Sequence, residues 1–262
     1  MLYFRAGVKL DNRYRKFPEG AKGDHMNNLF IQSISIDWDR IGRSSYLRAI
    51  EAIQGLRQMV FTSPVTFFVG ENGSGKSTIL EAIAVAYGFN PEGGTKNYSF
   101  STRDSHSELC DVIRISRGYR KAGWGYFLRA ESFYNVATKE EEYADLLHPS
   151  QRYHERSHGE SFLAVAQRNL KPNGLYLLDE PEAALSPQRQ LTLLMEIYEC
   201  VRQESQFIIV THSPILLGLP GADIRTFDDG PVHSCEYEDT DSYQVTEMFI
   251  NNRKQLLKRL LE

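Results

Sequence analysis

Residues 65–77 read VTFFVGENGSGKS, and this run says more about the architecture than any other part of the chain. The mostly apolar stretch Val65–Val69 predicts a short β-strand, and the apolar spacing that follows predicts a helix over Ser77–Tyr87. Between them, Gly70–Ser77 matches the pattern G-x-x-x-x-G-K-[ST] of a phosphate-binding loop. A strand, this loop and a helix in direct succession predict an α/β nucleotide-binding fold.

The residue types of this loop suit the binding of phosphate groups. Glycine at positions 70, 73 and 75 lets the backbone curl so that its N–H groups point inward, and the N-terminus of the following helix favours an anion. We expect the Lys76 ammonium to reach the β- and γ-phosphates of a nucleotide and the Ser77 hydroxyl to ligate Mg²⁺. The candidate nucleotide-binding residues of the loop are Gly70, Glu71, Asn72, Gly73, Ser74, Gly75, Lys76, Ser77 and Thr78.

A second chemical signature lies far downstream, where a strand ends in two acidic residues. The apolar run Leu175–Leu178 predicts a buried parallel strand, and Asp179 and Glu180 follow it directly. Ligands of open α/β sheets bind at the carboxyl ends of the strands. We therefore expect Asp179 to belong to the Mg²⁺ coordination shell and Glu180 to act as general base on the attacking water.

Two shorter motifs complete the set. Ser157-His-Gly-Glu160 precedes the acidic pair, and Val210-Thr-His-Ser-Pro214 places His212 at the end of a further apolar strand. In this order the four motifs resemble the ABC-type ATPase superfamily over roughly residues 29–230. The resemblance implies ATP as the nucleotide, Mg²⁺ as its partner ion, and a head-to-tail homodimer with ATP sandwiched between the subunits.

The resemblance also implies roles across the expected dimer. Ser157 and Gly159 would contact the γ-phosphate of the ATP held by Lys76 of the other subunit, because hydroxyl and backbone N–H groups donate to anions. Glu160 of the same motif is a further candidate nucleotide-binding residue. His212 would contact the γ-phosphate within its own subunit and act in catalysis. ATP would then close the dimer and hydrolysis would open it, so that the cycle is a conformational switch.

The segment after the acidic pair bears on the branch of the superfamily. Residues 179–187 read DEPEAALSP, and residues 211–214 read THSP. These features resemble the small, solitary RecF-like and OLD-like bacterial ATPases, whereas transporter ATPases usually carry Thr at the position of Glu182 and Asp after Thr-His. Ser186 stands where an Asp usually contacts the partner subunit.

One family feature is absent, and the base-binding residue is open. ABC ATPases usually place a Gln on a strand between the phosphate-binding loop and the Ser157 motif, yet no Gln occurs between Gln58 and Gln151. Glu131 either takes over this role near Mg²⁺ or is an exposed carboxylate at a strand end. Tyr46 and Trp38 either stack on the adenine or pack within the protein.

Strand-like and helical patterns alternate along the chain, so we expect an α/β fold. In detail we expect a P-loop NTPase of the ABC-ATPase type, with a mainly parallel sheet flanked by helices and a small antiparallel β subdomain. Residues 1–27 are predicted to be a basic N-terminal extension, since they carry six Lys and Arg residues, and residues 28–262 the ATPase domain. The Gly-, Ser- and Asn-rich stretch 90–107 is predicted to be a loop.

Composition limits the possible functions. The net charge of −4 does not favour a protein that coats polyanions, although a local basic face is compatible with it. No apolar run is long enough to span a bilayer, and no secretory signal is visible. The three cysteines are widely separated and are expected to be reduced thiols. We therefore expect a cytoplasmic protein that does not insert into membranes.

The leading hypothesis is a soluble switch protein that binds and hydrolyses ATP. It would dimerise with ATP and act on a partner protein or nucleic acid, in DNA maintenance or defence. The alternative is the ATP-binding subunit of an ABC membrane transporter, which the fold permits and the segment after Asp179 disfavours. A third reading, a catalytically silent binding module, conflicts with the presence of Lys76, Ser77 and both acidic residues.

Overall fold

The computed structural model describes residues 28–95, 107–129 and 158–261. The predicted N-terminal extension, residues 1–27, lies outside the described residues, and so does the middle of the predicted loop 90–107. None of the helices in the described ranges is long and apolar enough to cross a membrane.

Ten strands and seven α-helices make up the described ranges. The strands are β1 (Ile31–Ile36), β2 (Gln58–Val60), β3 (Val65–Val69), β4 (Gly94–Thr95), β5 (Ile113–Arg117), β6 (Trp124–Arg129), β7 (Gly174–Asp179), β8 (Gln206–Val210), β9 (Asp223–Thr226) and β10 (His233–Cys235). The α-helices are α1 (Glu51–Gln54), α2 (Lys76–Tyr87), α3 (Leu109–Val112), α4 (His158–Asn169), α5 (Pro187–Arg202), α6 (Pro214–Leu217) and α7 (Asp241–Leu261). Short 3₁₀ helices cover Trp38–Arg40, Tyr46–Ala49, Pro181–Ala184 and Tyr237–Asp239.

The larger sheet has seven strands in the order β10-β9-β3-β8-β7-β6-β4. Its five central strands run parallel, and the two edge strands pair antiparallel with their neighbours. Every residue of β3, β7 and β8 is buried, because helices cover both faces of a parallel sheet. The predicted mainly parallel α/β fold is therefore confirmed.

Alternate side chains of the central strands enter two separate cores. On one face, Leu177 and Ile208 pack with Ile79 and Ile83 of α2. On the other face, Tyr176 and Ile209 pack with Leu193 and Ile197 of α5. The sheet is thus the middle layer between helices, and its strand ends stay available for a site.

The strand order gathers the sequence motifs at one edge. Strand β8, which leads to His212, lies between β3, which leads to the phosphate-binding loop, and β7, which ends at Asp179. Because the three strands are parallel, their carboxyl ends meet at the same edge of the sheet. The predicted site residues on these three segments are therefore neighbours in space.

A smaller antiparallel sheet has the order β2-β1-β5, which confirms the predicted antiparallel subdomain. In it, Ile34 of β1 lies beside Met59 of β2 and Ile115 of β5. A buried side chain links the two sheets, since the Gln206 amide accepts from the Ile31 N–H and donates to the Ile31 carbonyl, each at 2.9 Å. These bonds satisfy both backbone groups of Ile31 away from water.

Truncation of this linking side chain should destabilise the fold. We expect Gln206→Ala to lower the free energy of unfolding by about 2–4 kcal/mol, because it leaves two buried backbone groups of Ile31 without partners. Gln255→Ala, on the exposed surface of α7, should change it by no more than about 0.5 kcal/mol. Urea unfolding followed by circular dichroism measures both. Equal stabilities of the two variants would contradict this account of the link.

Candidate nucleotide-binding site

The loop after β3 has the backbone conformation that its glycines permit. Gly70, Gly73 and Gly75 have φ values of 138°, 84° and 97°, in the left-handed region that other residues rarely adopt. A Cβ at Gly75 would lie 2.5 Å from Cδ1 of Ile53, so the loop rests directly on the segment around α1. No atom lies within 4 Å of a Cβ built at Gly73, so the space beside this glycine is open.

Lys76 closes the loop on itself. Its Nζ donates to the carbonyl oxygens of Gly70 at 2.7 Å and Glu71 at 2.6 Å. Burial lowers the pKa of the ammonium, while the carboxylates of Asp228 and Glu180 oppose that shift. The cation is thus held in the concavity of the loop by backbone dipoles that a phosphate group could replace.

Asp228 holds the start of the loop from the neighbouring strand β9, and sequence reasoning missed it. Its Oδ1 accepts from the Glu71 N–H at 2.8 Å. A Cβ at Gly70 would lie only 2.9 Å from the same oxygen, so glycine is required for this approach. The signal in the sequence is weak, because Asp228 is one of two acidic residues in a turn after a short apolar run.

Ser77 and Asp179 meet where the phosphate-binding loop and the acidic strand come together. The Ser77 hydroxyl donates to Oδ1 of Asp179 at 2.8 Å, and Asp179 is buried. Within the ranges the structure describes, no three His, Cys, Asp or Glu side chains lie close enough to hold a metal by themselves. Mg²⁺ in ATPase sites uses one or two protein oxygens, with phosphates and water as its other ligands. The Ser77–Asp179 pair fits such an ion.

Glu180 and His212 face each other at the same edge. Glu180 has φ 49° and ψ 52°, a left-handed conformation that is costly for a residue with a side chain. Its N–H donates to the Val210 carbonyl at 3.0 Å, which fixes this turn to strand β8. Glu180 Oε1 lies 3.8 Å from Nε2 of His212, and both side chains are about 40% exposed. The two side chains therefore line this edge, and Nε2 of His212 is itself buried without a hydrogen-bond partner among the described residues.

Two side chains from the segment after the acidic pair hold the His212 loop. Oε1 of Glu182 accepts from the His212 N–H at 2.5 Å. Oε1 of Gln190 accepts from the Ser213 hydroxyl at 2.7 Å, and its amide donates to the Leu185 carbonyl at 3.0 Å. Burial raises the pKa of the Glu182 carboxyl, and the bond from His212 N–H partly offsets that shift. Gln190 carried no signal in the sequence that marked it as a site residue.

Arg129 is a second residue that sequence reasoning missed. It ends strand β6 and lies directly beside Asp179 in the parallel register. Its Nη1 is 2.6 Å from Oε2 of Glu81, and its Nε is 3.8 Å from Oδ2 of Asp179. A cation therefore adjoins the candidate Mg²⁺ ligand. The strand was expected here, but an arginine after an apolar run carries no specific signal.

The remaining predicted site residues lie elsewhere. Gly159 and Glu160 begin α4, and the three atoms nearest to a Cβ built at Gly159 belong to Ala184 and Arg189. Glu160 Oε1 is 3.0 Å from Nη2 of Arg189. This segment is thus packed on the chain that follows the acidic pair, rather than gathered around Lys76. The other two predicted residues, Ser157 and Glu131, lie outside the described residues.

The two candidate aromatic residues differ in their surroundings. The Trp38 indole donates to the Leu56 carbonyl at 2.9 Å, and the guanidinium of Arg48 lies 5.4 Å from its ring centre. Tyr46 is 54% exposed, and its hydroxyl is 2.8 Å from Oγ of Ser107. The exposed Tyr46 stays a candidate for stacking on a base, whereas Trp38 packs within the protein.

This fold and this loop define a P-loop ATPase. The sequence model of the AAA domain family matches residues 46–205, and the chain belongs to that family. Its membership, with the architecture described above, confirms the predicted P-loop ATPase class. No curated protein matches the chain.

Several solved structures are similar at low identity. The SMC head domain from Thermotoga maritima is 15% identical with a TM-score of 0.43, over 79% of this chain and 100% of that one. An SMC head bound to the C-terminal winged-helix domain of ScpA is 15% identical with a TM-score of 0.42, over 79% and 98%. A chain described as a metal-chelate type ABC transporter in an inward-facing conformation is 15% identical with a TM-score of 0.41, over 70% and 76%.

The raised pKa of Glu182 predicts a pH dependence of stability. Because the folded state binds this proton more tightly than the unfolded chain, the free energy of unfolding falls as pH rises from about 4.3 through the folded pKa. Glu182→Gln removes this titration and keeps an acceptor for His212 N–H. We expect the variant to gain stability over wild type as pH rises through that window, measured by urea unfolding at several pH values.

Glu182→Ala is the matched control. It also removes the titrating group, so the free energy of unfolding of Glu182→Ala should rise relative to that of wild type over the same pH window. It should nevertheless lie about 1–3 kcal/mol below Glu182→Gln at every pH, because the His212 N–H loses its acceptor. Parallel curves for wild type and Glu182→Gln would contradict the shifted pKa.

Proposed function

We propose that the protein binds and hydrolyses ATP and uses this cycle as a conformational switch. The observation that carries the proposal is the hydrogen bond between Ser77 and Asp179, which joins the phosphate-binding loop to the acidic strand. Glu180 and His212 adjoin this junction at 3.8 Å from each other. A nucleotide cradle, a metal-ligand pair and a carboxylate base thus share one edge of the sheet.

Each residue has a defined task in this proposal. Lys76 exchanges its bonds to the loop carbonyls for the β- and γ-phosphates of ATP. Ser77 and Asp179 hold Mg²⁺, which when bound neutralises charge on the phosphates. Glu180 takes a proton from the attacking water, and His212 donates a hydrogen bond to the γ-phosphate. The glycines keep the loop N–H groups directed at phosphate oxygens.

The switch is proposed to work through a homodimer. Ser157 and Gly159 would complete the site of the partner subunit by contacting the γ-phosphate bound at its Lys76, and Glu160 would belong to the same nucleotide-binding segment. The position of Gly159 against Ala184 and Arg189, rather than at its own loop, supports this division of the site. ATP would then hold two subunits together until hydrolysis releases them.

The partner class follows from the segment after Asp179. Glu182 bonds to the backbone of His212, a contact that the Thr usual in transporter ATPases is too short to copy in the same way. This supports the reading as a RecF-like or OLD-like cytoplasmic ATPase over the reading as a transporter subunit. We propose that the switch acts on a separate protein or nucleic acid in DNA maintenance or defence.

Removal of the Lys76 ammonium should abolish tight nucleotide binding. We expect Lys76→Ala to bind ATP with Mg²⁺ about 10- to 150-fold more weakly, which corresponds to the loss of a charge-assisted contact worth about 1.5–3 kcal/mol. Isothermal titration calorimetry measures this change. The exposed Lys121 provides the control, because Lys121→Ala should bind ATP like wild type. Unchanged affinity in Lys76→Ala would refute the phosphate cradle.

Removal of the Glu180 charge should separate binding from hydrolysis. We expect Glu180→Gln to bind ATP and to hydrolyse it at least about 100-fold more slowly, since it lacks the general base. ATP and Mg²⁺ should then trap this variant as a dimer in light scattering. The double variant Lys76→Ala/Glu180→Gln should stay monomeric. A Glu180→Gln protein that binds ATP but remains monomeric would refute the proposed dimer.

A further inference from the structure

Arg129 places a cation beside a residue that is proposed to ligate a metal cation. It ends β6, beside Asp179 on the neighbouring strand, and its side chain is only 21% exposed. An arginine keeps its charge at every accessible pH. A permanent positive charge next to a Mg²⁺ ligand repels the metal. Another contribution of Arg129 to the site must therefore offset this repulsion.

The contacts of Arg129 indicate what this contribution is. Nη1 pairs with Oε2 of Glu81 at 2.6 Å and lies 3.4 Å from the Pro91 carbonyl oxygen. Nε lies 3.8 Å from Oδ2 of Asp179. The other oxygen of that carboxylate, Oδ1, accepts from Ser77. The Ser77 hydroxyl thus donates to one oxygen of Asp179, and the Arg129 cation lies beside the other as an ion pair longer than a hydrogen bond.

Glu81 ties this arrangement to the phosphate-binding loop. It lies four residues after Ser77 on α2, so both side chains project from the same face of the helix. The Glu81 carboxylate is 14% exposed and the Asp179 carboxylate 11%. One guanidinium thus lies between two largely buried carboxylates, one on the helix and one on the strand.

We propose that Arg129 is a positioning residue for the metal site. Anchored by Glu81, it fixes the Asp179 carboxylate so that Oδ1 stays beside the Ser77 hydroxyl, where Mg²⁺ is received. This inference rests on the proposed function, in which Ser77 and Asp179 hold the ion. Groups that orient a metal ligand contribute about 10- to 100-fold to metal affinity.

Charge-matched variants separate this role from a purely electrostatic one. The variant Arg129→Met/Glu81→Gln removes the guanidinium and the Glu81 charge together, so the net charge near the metal is unchanged and no anion at Glu81 is left unpaired. Arg129→Lys also keeps the net charge. If Arg129 only balances charge, both variants bind Mg²⁺ like wild type; if it positions Asp179, both bind Mg²⁺ more weakly.

The test measures the affinity of the protein for a fluorescent ATP analogue at increasing Mg²⁺ concentrations and gives the Mg²⁺ concentration at which the gain in affinity is half-maximal. Binding is recorded in the first milliseconds after mixing, before turnover. Electron paramagnetic resonance of Mn²⁺ binding with ADP gives a second readout. We expect both to shift about 10- to 100-fold towards higher metal concentration in Arg129→Met/Glu81→Gln. Arg129→Lys keeps the charge but cannot span both carboxylates, and should shift in the same direction.

An exposed ion pair provides the matched control. Arg114 pairs with Asp37 at 3.1 Å on the surface, and Arg114→Met/Asp37→Asn should keep the metal dependence of wild type. An unchanged or lower half-maximal concentration in both Arg129 variants would overturn the inference alone. If wild type itself binds the ATP analogue without any dependence on Mg²⁺, the metal site fails, and the inference fails with it.

Discussion

The hydrogen bond from Ser77 to Asp179 joins two parts of the chain that are 102 residues apart. It exists because β3 and β7 run parallel with β8 between them, so that their ends meet at one edge of the sheet. The loop conformation, the buried lysine and the acidic turn all depend on this meeting. A change of strand register by one residue would exchange the buried faces and separate the two groups.

The site is held together by its own side chains. Lys76 bonds to loop carbonyls, and Asp228 holds the Glu71 N–H. On the opposite side of the site, Glu182 holds the backbone of His212. Nucleotide binding therefore exchanges existing polar contacts for new ones, rather than ordering free groups. The polar groups of the site are thus oriented when the protein folds, so nucleotide binding does not carry the free-energy cost of orienting them.

Sequence reasoning was most successful where local patterns decide structure. The strand–loop–helix unit at residues 65–87 and the apolar strands β7 and β8 were expected, because each has a strong local period or a turn requirement. The short helices α1 and α6 were not expected, since four residues carry no measurable period. Strand β4 corrects the predicted loop 90–107, because two residues pair with β6 without any strand-like composition.

Long-range partners were beyond the reach of the sequence. Asp228 reaches the loop only through the pairing of β9 with β3, and Gln206 links the sheets through a backbone that is 175 residues away. Arg129 meets Asp179 through the pairing of β6 with β7. In each case the residue type is ordinary and the meaning comes from the strand order. The sequence indicates the residues expected to bind the nucleotide, and the strand order indicates which other side chains hold those residues in place.

The most direct measurement is the steady-state hydrolysis of ATP by wild type and by Asp179→Asn, over a range of Mg²⁺ concentrations. Wild type should release phosphate only when a divalent cation is present. Asp179→Asn should still bind ATP through the Lys76 loop but lose this Mg²⁺-dependent hydrolysis. Hydrolysis by Asp179→Asn at the wild-type rate, with the same Mg²⁺ dependence, would contradict the account.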